Sequence, residues 1–192
     1  MTRSALAPLV TVLMLVAVCP AHAAAQALIV QVDNDARIPA ADLAQVEEVV
    51  AHSFLGIGVQ VIWEHGEVAL DDSRGLRVHL RLLSRINADR KIAKERIGHA
   101  VLGQTNRSAR LVYIFTNRIV EASVKFAHDY TRILGFVVAH ELGHVLLPPG
   151  SHSDSGIMNG RTNLFGKIAH EFTPEEGEAI RAVLRGRLES RK

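Results

Sequence analysis

Apolar and polar positions alternate with a period of two in several short stretches of this chain and follow a helical period in three longer ones. Residues 28–32 and 59–63, rich in Val and Ile, read as strands. Residues 76–83 form a third, in which Val78, Leu80 and Leu82 alternate with Arg77, His79 and Arg81. A strand over 111–115 and a short one over 97–102 flank Gly103-Gln104-Thr105-Asn106, whose composition predicts a turn. Residues 39–54 set Leu43, Val46, Val49 and Val50 on one helical face, and Gly56-Ile57-Gly58 stops that helix. A second helix, capped by Asp129 or Thr131, carries Ile133, Leu134, Phe136, Val137, Val138, Leu142, Val145 and Leu146. It is apolar nearly all round, as a helix buried inside a domain must be. The last helix starts at Thr173, with Pro174 at its first position and Glu176 where a capping box needs it, and runs to about residue 188. No repeat, linker or composition break divides the pattern, which predicts one α+β domain over residues 26–192.

The first 25 residues stand apart. Arg3, an apolar run over 5–18, and then Cys19-Pro20-Ala21-His22-Ala23-Ala24-Ala25 read as a secretory signal peptide, cleaved after Ala23 or Ala25. The run is too short to span a bilayer comfortably, so no stable membrane anchor is expected once it is removed. The expected destination is the periplasm or the extracellular space. Cys19, the single cysteine, falls inside this segment, which leaves the mature chain without a thiol or disulfide. A domain of this size can bury an adequate core without one.

Charge narrows the choice of partner. With 22 Lys and Arg against 20 Asp and Glu, the chain is near neutral, which argues against a nucleic-acid binder. The cluster Arg74, Arg77, Arg81, Arg85, Arg90, Lys91, Lys94 and Arg96 reads as a solvated face, and a monomer is expected.

Chemistry concentrates in His140-Glu141-Leu142-Gly143-His144, within the apolar helix. Residues four apart on a helix lie about 6 Å apart along its axis and about 40° apart around it, so His140 and His144 can grip one metal ion. Glu141 projects beside them, where it can reach a water rather than the metal. Buried unpaired, these groups would cost kilocalories, and a metal supplies all three with one partner. The helix cannot pass Leu147, because Pro148 and Pro149 interrupt it, and Gly150 then permits a sharp reversal. That reversal can return His152 as a third ligand. Three imidazoles with an open position make the usual composition of a catalytic zinc site. Asp154 is the rival third ligand, or a partner that orients a histidine.

HELGH, a further histidine and then Ser155-Gly156-Ile157-Met158 resemble the metzincin clan of zinc peptidases, whose signature is HExxHxxGxxH followed by a Met-turn. The order of elements also resembles a small metzincin catalytic domain, which implies a zincin-like fold: a twisted mixed sheet, an active-site helix and a C-terminal helix. The match departs from the signature at two places. Leu147 and Gly150 stand where the clan has glycine and histidine, and the histidine comes two residues later, as in a divergent bacterial-type branch. The resemblance implies Zn2+ held by His140, His144 and His152, Glu141 as general base, and Met158 beneath the metal. It also implies an edge strand near the cleft, residues 97–102 by order, that pairs with extended peptide. Glu171, Glu175 and Glu178 would be ligand candidates only on a gluzincin pattern, which His152 and Met158 speak against.

These readings converge on a secreted zinc metalloendopeptidase acting on peptides or proteins. The alternative is an exported zinc-binding, non-catalytic peptide-recognition domain. Against it stands Glu141, a carboxylate that a purely structural zinc site would not use.

Overall fold

A computed structural model describes residues 26–66, 75–160 and 171–189; the expected leader and residues 161–170 lie outside the described residues. In chain order the elements are β1 (Gln26–Asp33), α1 (Ala40–Leu55), β2 (Val59–His65), β3 (Leu76–Leu83), α2 (Arg85–Glu95), β4 (Gly103–Asn106) and β5 (Leu111–Phe115), followed by α3 (Thr116–Phe126), α4 (Tyr130–Leu146) and α5 (Pro174–Glu189). The sheet runs β2-β1-β3-β5-β4. Four strands are parallel, and β4 pairs antiparallel with β5 at the edge.

Register explains which side chains form the core. Leu28 and Val30 align with Val61 and Trp63 on one side, and Val30 and Val32 with Val78 and Leu80 on the other. Leu80 and Leu82 then align with Val112 and Ile114. This places one row of apolar side chains on a single face of the sheet, where they join Val46, Val50 and Phe54 of α1 and the buried stripe of α4. A smaller cluster of Leu83, Ala88 and Phe115 packs α2 against the ends of β3 and β5. Among the described residues, no helix is long and apolar enough to cross a membrane.

Close contact between α1 and α4 depends on one glycine. A Cβ at Gly135 would sit 2.7 Å from Val49 Cγ1, well inside contact distance. Gly135→Leu is therefore expected to destabilise the fold by about 1–3 kcal/mol through overpacking. A urea midpoint equal to the parent's would show that the two helices separate freely.

Both ends of α4 follow the sequence. Asp129 is the cap: its carboxylate accepts from the Arg132 amide at 3.0 Å and from the Thr131 hydroxyl at 2.6 Å. These bonds, the Thr131 hydroxyl first, hold its pKa below the usual carboxylate value. A depressed pKa stabilises the fold above the unfolded pKa and is lost as pH falls through the folded one. Asp129→Ala should thus cost about 1 kcal/mol at neutral pH, and less below about pH 4 as the parent's cap is protonated. An equal loss at pH 7 and pH 2.5 in denaturant titrations would count against a charged cap. At the other end Leu147 is already extended, as Pro148 requires. At α5 the capping box closes in both directions, with Thr173 N–H on Glu176 Oε2 at 2.8 Å and Glu176 N–H on Thr173 Oγ1 at 3.3 Å.

Three sequence expectations are corrected. Residues 97–102 do not form a strand; they follow the left-handed cap of α2 at Arg96 and lead into β4, which is made of the residues expected to turn. Pairing of 103–106 with the strongly apolar β5 outweighs their weak strand propensity. The helices α2 and α3 were not legible. Of α2's side chains only Ala88 is buried, so its apolar periodicity is faint. Nor is the basic cluster wholly solvated. Arg77 of β3 is 3% exposed and ion-paired with Glu64 of β2, across the intervening strand β1.

Candidate metal centre

The buried helix α4 brings His140 and His144 one turn apart, and the turn at Pro148-Pro149-Gly150 folds the chain back beneath them. Gly150 takes φ +77°, a left-handed value that suits glycine, and its carbonyl accepts from the His152 amide at 2.7 Å. His152 thereby joins the pair: its Nε2 lies 3.2 Å from His144 Nε2, which lies 3.0 Å from His140 Nε2. One ligand atom from each of the three falls within 4.8 Å of the others. Asp154 is exposed and is not part of this group. Glu171 is absent from it too, and contributes a backbone carbonyl that accepts from Ile157 N–H.

The donor set fits a tetrahedral cation. Nitrogens bound to one zinc at about 2.0–2.1 Å stand about 3.3 Å apart, close to the spacing found. The protonation states agree. His140 Nδ1 lies 2.7 Å from the Ile157 carbonyl oxygen, which can only accept, so the proton sits on Nδ1 and the Nε2 lone pair faces inward. Burial lowers the pKa of His140, and burial together with the two neighbouring imidazoles brings that of His144 down to about 4. Neutral imidazoles are what a metal requires.

Glu141 is 7% exposed and borders the same cleft, a space of about 530 Å³ also lined by Leu102, Phe136 and Val137. Burial pushes its carboxyl up to about 7, against the opposing pull of the Thr105 hydroxyl bond. A carboxyl poised near neutrality suits general acid–base work, and a cation bound beside it would favour its ionised form.

Three glycines make room for this arrangement. A Cβ on Gly103 would stand 2.6 Å from Glu141 Cγ, one on Gly143 2.4 Å from Met158 Sδ, and one on Gly160 2.9 Å from His152 Cγ. Met158 is fully buried against Gly143 of α4. The role of Ile157 was not foreseen, although it lies inside the Ser155-Gly156-Ile157-Met158 motif; its contribution is a backbone carbonyl, which side-chain patterns do not reveal. Thr105 and Gly103 were hidden in a stretch whose composition signalled a turn.

No family model and no curated protein matches the chain. Among solved structures it is similar to the archaemetzincin of Methanopyrus kandleri, at 17% identity and a TM-score of 0.52, with 87% of this chain and 99% of that chain covered. At that identity the likeness is one of fold, and the fold is the zincin-like α+β domain, here with the helix that carries His140 and His144 and a C-terminal helix.

Proposed function

We propose that this chain is a zinc-dependent metallopeptidase of a divergent metzincin branch, exported by its N-terminal leader to the periplasm or the cell exterior. The observation that carries the reading is the convergence of three imidazoles beside a buried carboxyl group in an open cleft. A purely structural zinc site would fill its fourth position with protein and would gain nothing from Glu141.

His140, His144 and His152 would hold the ion. Zinc bound there supplies Lewis acidity, which makes water nucleophilic at neutral pH and polarises a scissile carbonyl. Glu141 takes the proton of the attacking water and returns it to the departing amine. The Ile157 carbonyl keeps His140 in the ligating tautomer. Among the described residues β4 is the edge strand and pairs with β5 alone, and its other side would hold an extended peptide by backbone hydrogen bonds.

A peptide or protein substrate is favoured over nucleic acid because much of the basic cluster is engaged locally. Arg77 pairs with Glu64, Arg81 with Asp33 at 2.8 Å, and Lys91 with Glu95 at 2.6 Å. A monomeric enzyme is part of the same proposal, and sedimentation of the exported protein tests it. The direct test of the activity is incubation of the zinc-loaded protein with a mixed peptide library, read by mass spectrometry. Cuts that vanish on chelation and return with zinc are expected. No cuts from protein carrying one zinc per chain would favour the peptide-recognition alternative.

A further inference from the structure

Glu141 comes from α4, but what touches its side chain comes from β4, 36 residues earlier in the chain. Residues 103 and 105 are two apart on that strand, so both face the helix. Thr105 Oγ1 lies 2.6 Å from Glu141 Oε2 and 2.9 Å from the Glu141 main-chain oxygen. A hydroxyl has one proton to donate, and of the two acceptors an ionised carboxylate forms the stronger bond. At the start of the strand, Gly103 presents only backbone. Any side chain there would overlap the Glu141 Cγ, Cδ and Oε1 atoms, at 2.6–2.9 Å from a Cβ. One residue thus attracts the carboxylate while the other leaves the space it occupies.

We infer that Thr105 is a positioning residue for Glu141, with Gly103 as the gap that admits the carboxylate, so that edge strand β4 sets where the base stands in the cleft. The inference rests on the peptidase reading for its catalytic meaning and on geometry alone for the contact. If β4 also receives the substrate backbone, a single rigid strand registers both peptide and base, and errors in their relative placement shrink. Threonine suits this task better than serine, since its β-branch restricts χ1 and holds the hydroxyl in one direction.

The decisive variants are Thr105→Val, which keeps shape and strand propensity but removes the hydroxyl, and Thr105→Ser, which keeps the hydroxyl. Two readouts are paired. In the zinc-loaded protein, Thr105→Val should lower kcat about 10–100-fold, the usual cost of losing an orienting partner. Its KM, zinc content and melting temperature should stay near the parent's, and Thr105→Ser should recover most of the rate. In the metal-free protein, the 13C resonance of the Glu141 carboxyl, assigned by its loss in Glu141→Gln, should move in Thr105→Val and stay in place in Thr105→Ser. An unmoved resonance in Thr105→Val, or parental kcat in that variant, overturns the inference. If the parent cuts no peptide at all, the peptidase reading fails, and the resonance still decides whether Thr105 holds Glu141.

Discussion

Glu141→Gln is expected to keep its zinc and its fold but to lose peptide cleavage by at least about a hundredfold, within the usual contribution of a general base. The substitution is nearly isosteric, so Gly103 still leaves room for it and an amide oxygen can still accept from Thr105. The three imidazoles are untouched. What the amide cannot do is take a proton from water. Its effect therefore isolates proton transfer from packing and from metal binding. The check is a rate measurement on protein whose zinc content has been determined, with the parent alongside. Parental turnover by a zinc-loaded Glu141→Gln protein would remove Glu141 from the chemistry, and with it the main argument for an enzyme.

Zinc affinity should respond just as sharply to His152. Removing a direct ligand from a three-histidine set should weaken binding by more than the 10–100-fold typical of an outer partner, so His152→Ala is expected to exceed that range. Asp154→Ala should leave affinity near the parent's. The reason lies in the turn: the left-handed Gly150 and the bond from the His152 amide to its carbonyl aim the imidazole upward, to 3.2 Å from His144. Asp154, two residues on, is exposed and away from the cluster. A competitive chelator titration at fixed pH measures both variants. The opposite ranking would transfer the ligand role to Asp154 and mean that the loop is arranged differently when metal is bound.

The grouping of His140, His144 and His152 could be read from the chain because the interactions that bring them together are local. Two histidines one helical turn apart, a glutamate next to the first, and a proline pair that ends the helix all act within a dozen residues. Local geometry, which needs no knowledge of the rest of the fold, sets those relations. The capping box at Thr173 and Glu176 and the cap at Asp129 are legible for the same reason. Even so, Asp129 and Thr131 were equal candidates by position, and only the folded structure shows the hydroxyl of Thr131 bonded to the carboxylate of Asp129.

Tertiary structure decided everything that depends on sheet register. Whether 97–102 or 103–106 is the edge strand turns on which segment aligns with β5, and the hydrogen-bond ladder there outweighs the turn propensity of Gly103 and Asn106. Arg77 looked solvated from its alternation with Val78, yet sheet order sets β2 one strand away from β3, and there it meets Glu64 and is buried with it. The orientation of Glu141 by Thr105, and of His140 by the Ile157 carbonyl, joins residues 36 and 17 positions apart. By itself, then, the sequence determined which side chains gather at the candidate site, with His140, Glu141 and His144 on one helix and His152 on the turn after it. Only the packed fold decided which donors aim them, because that depends on contacts between segments whose order along the chain says nothing of their distance in space.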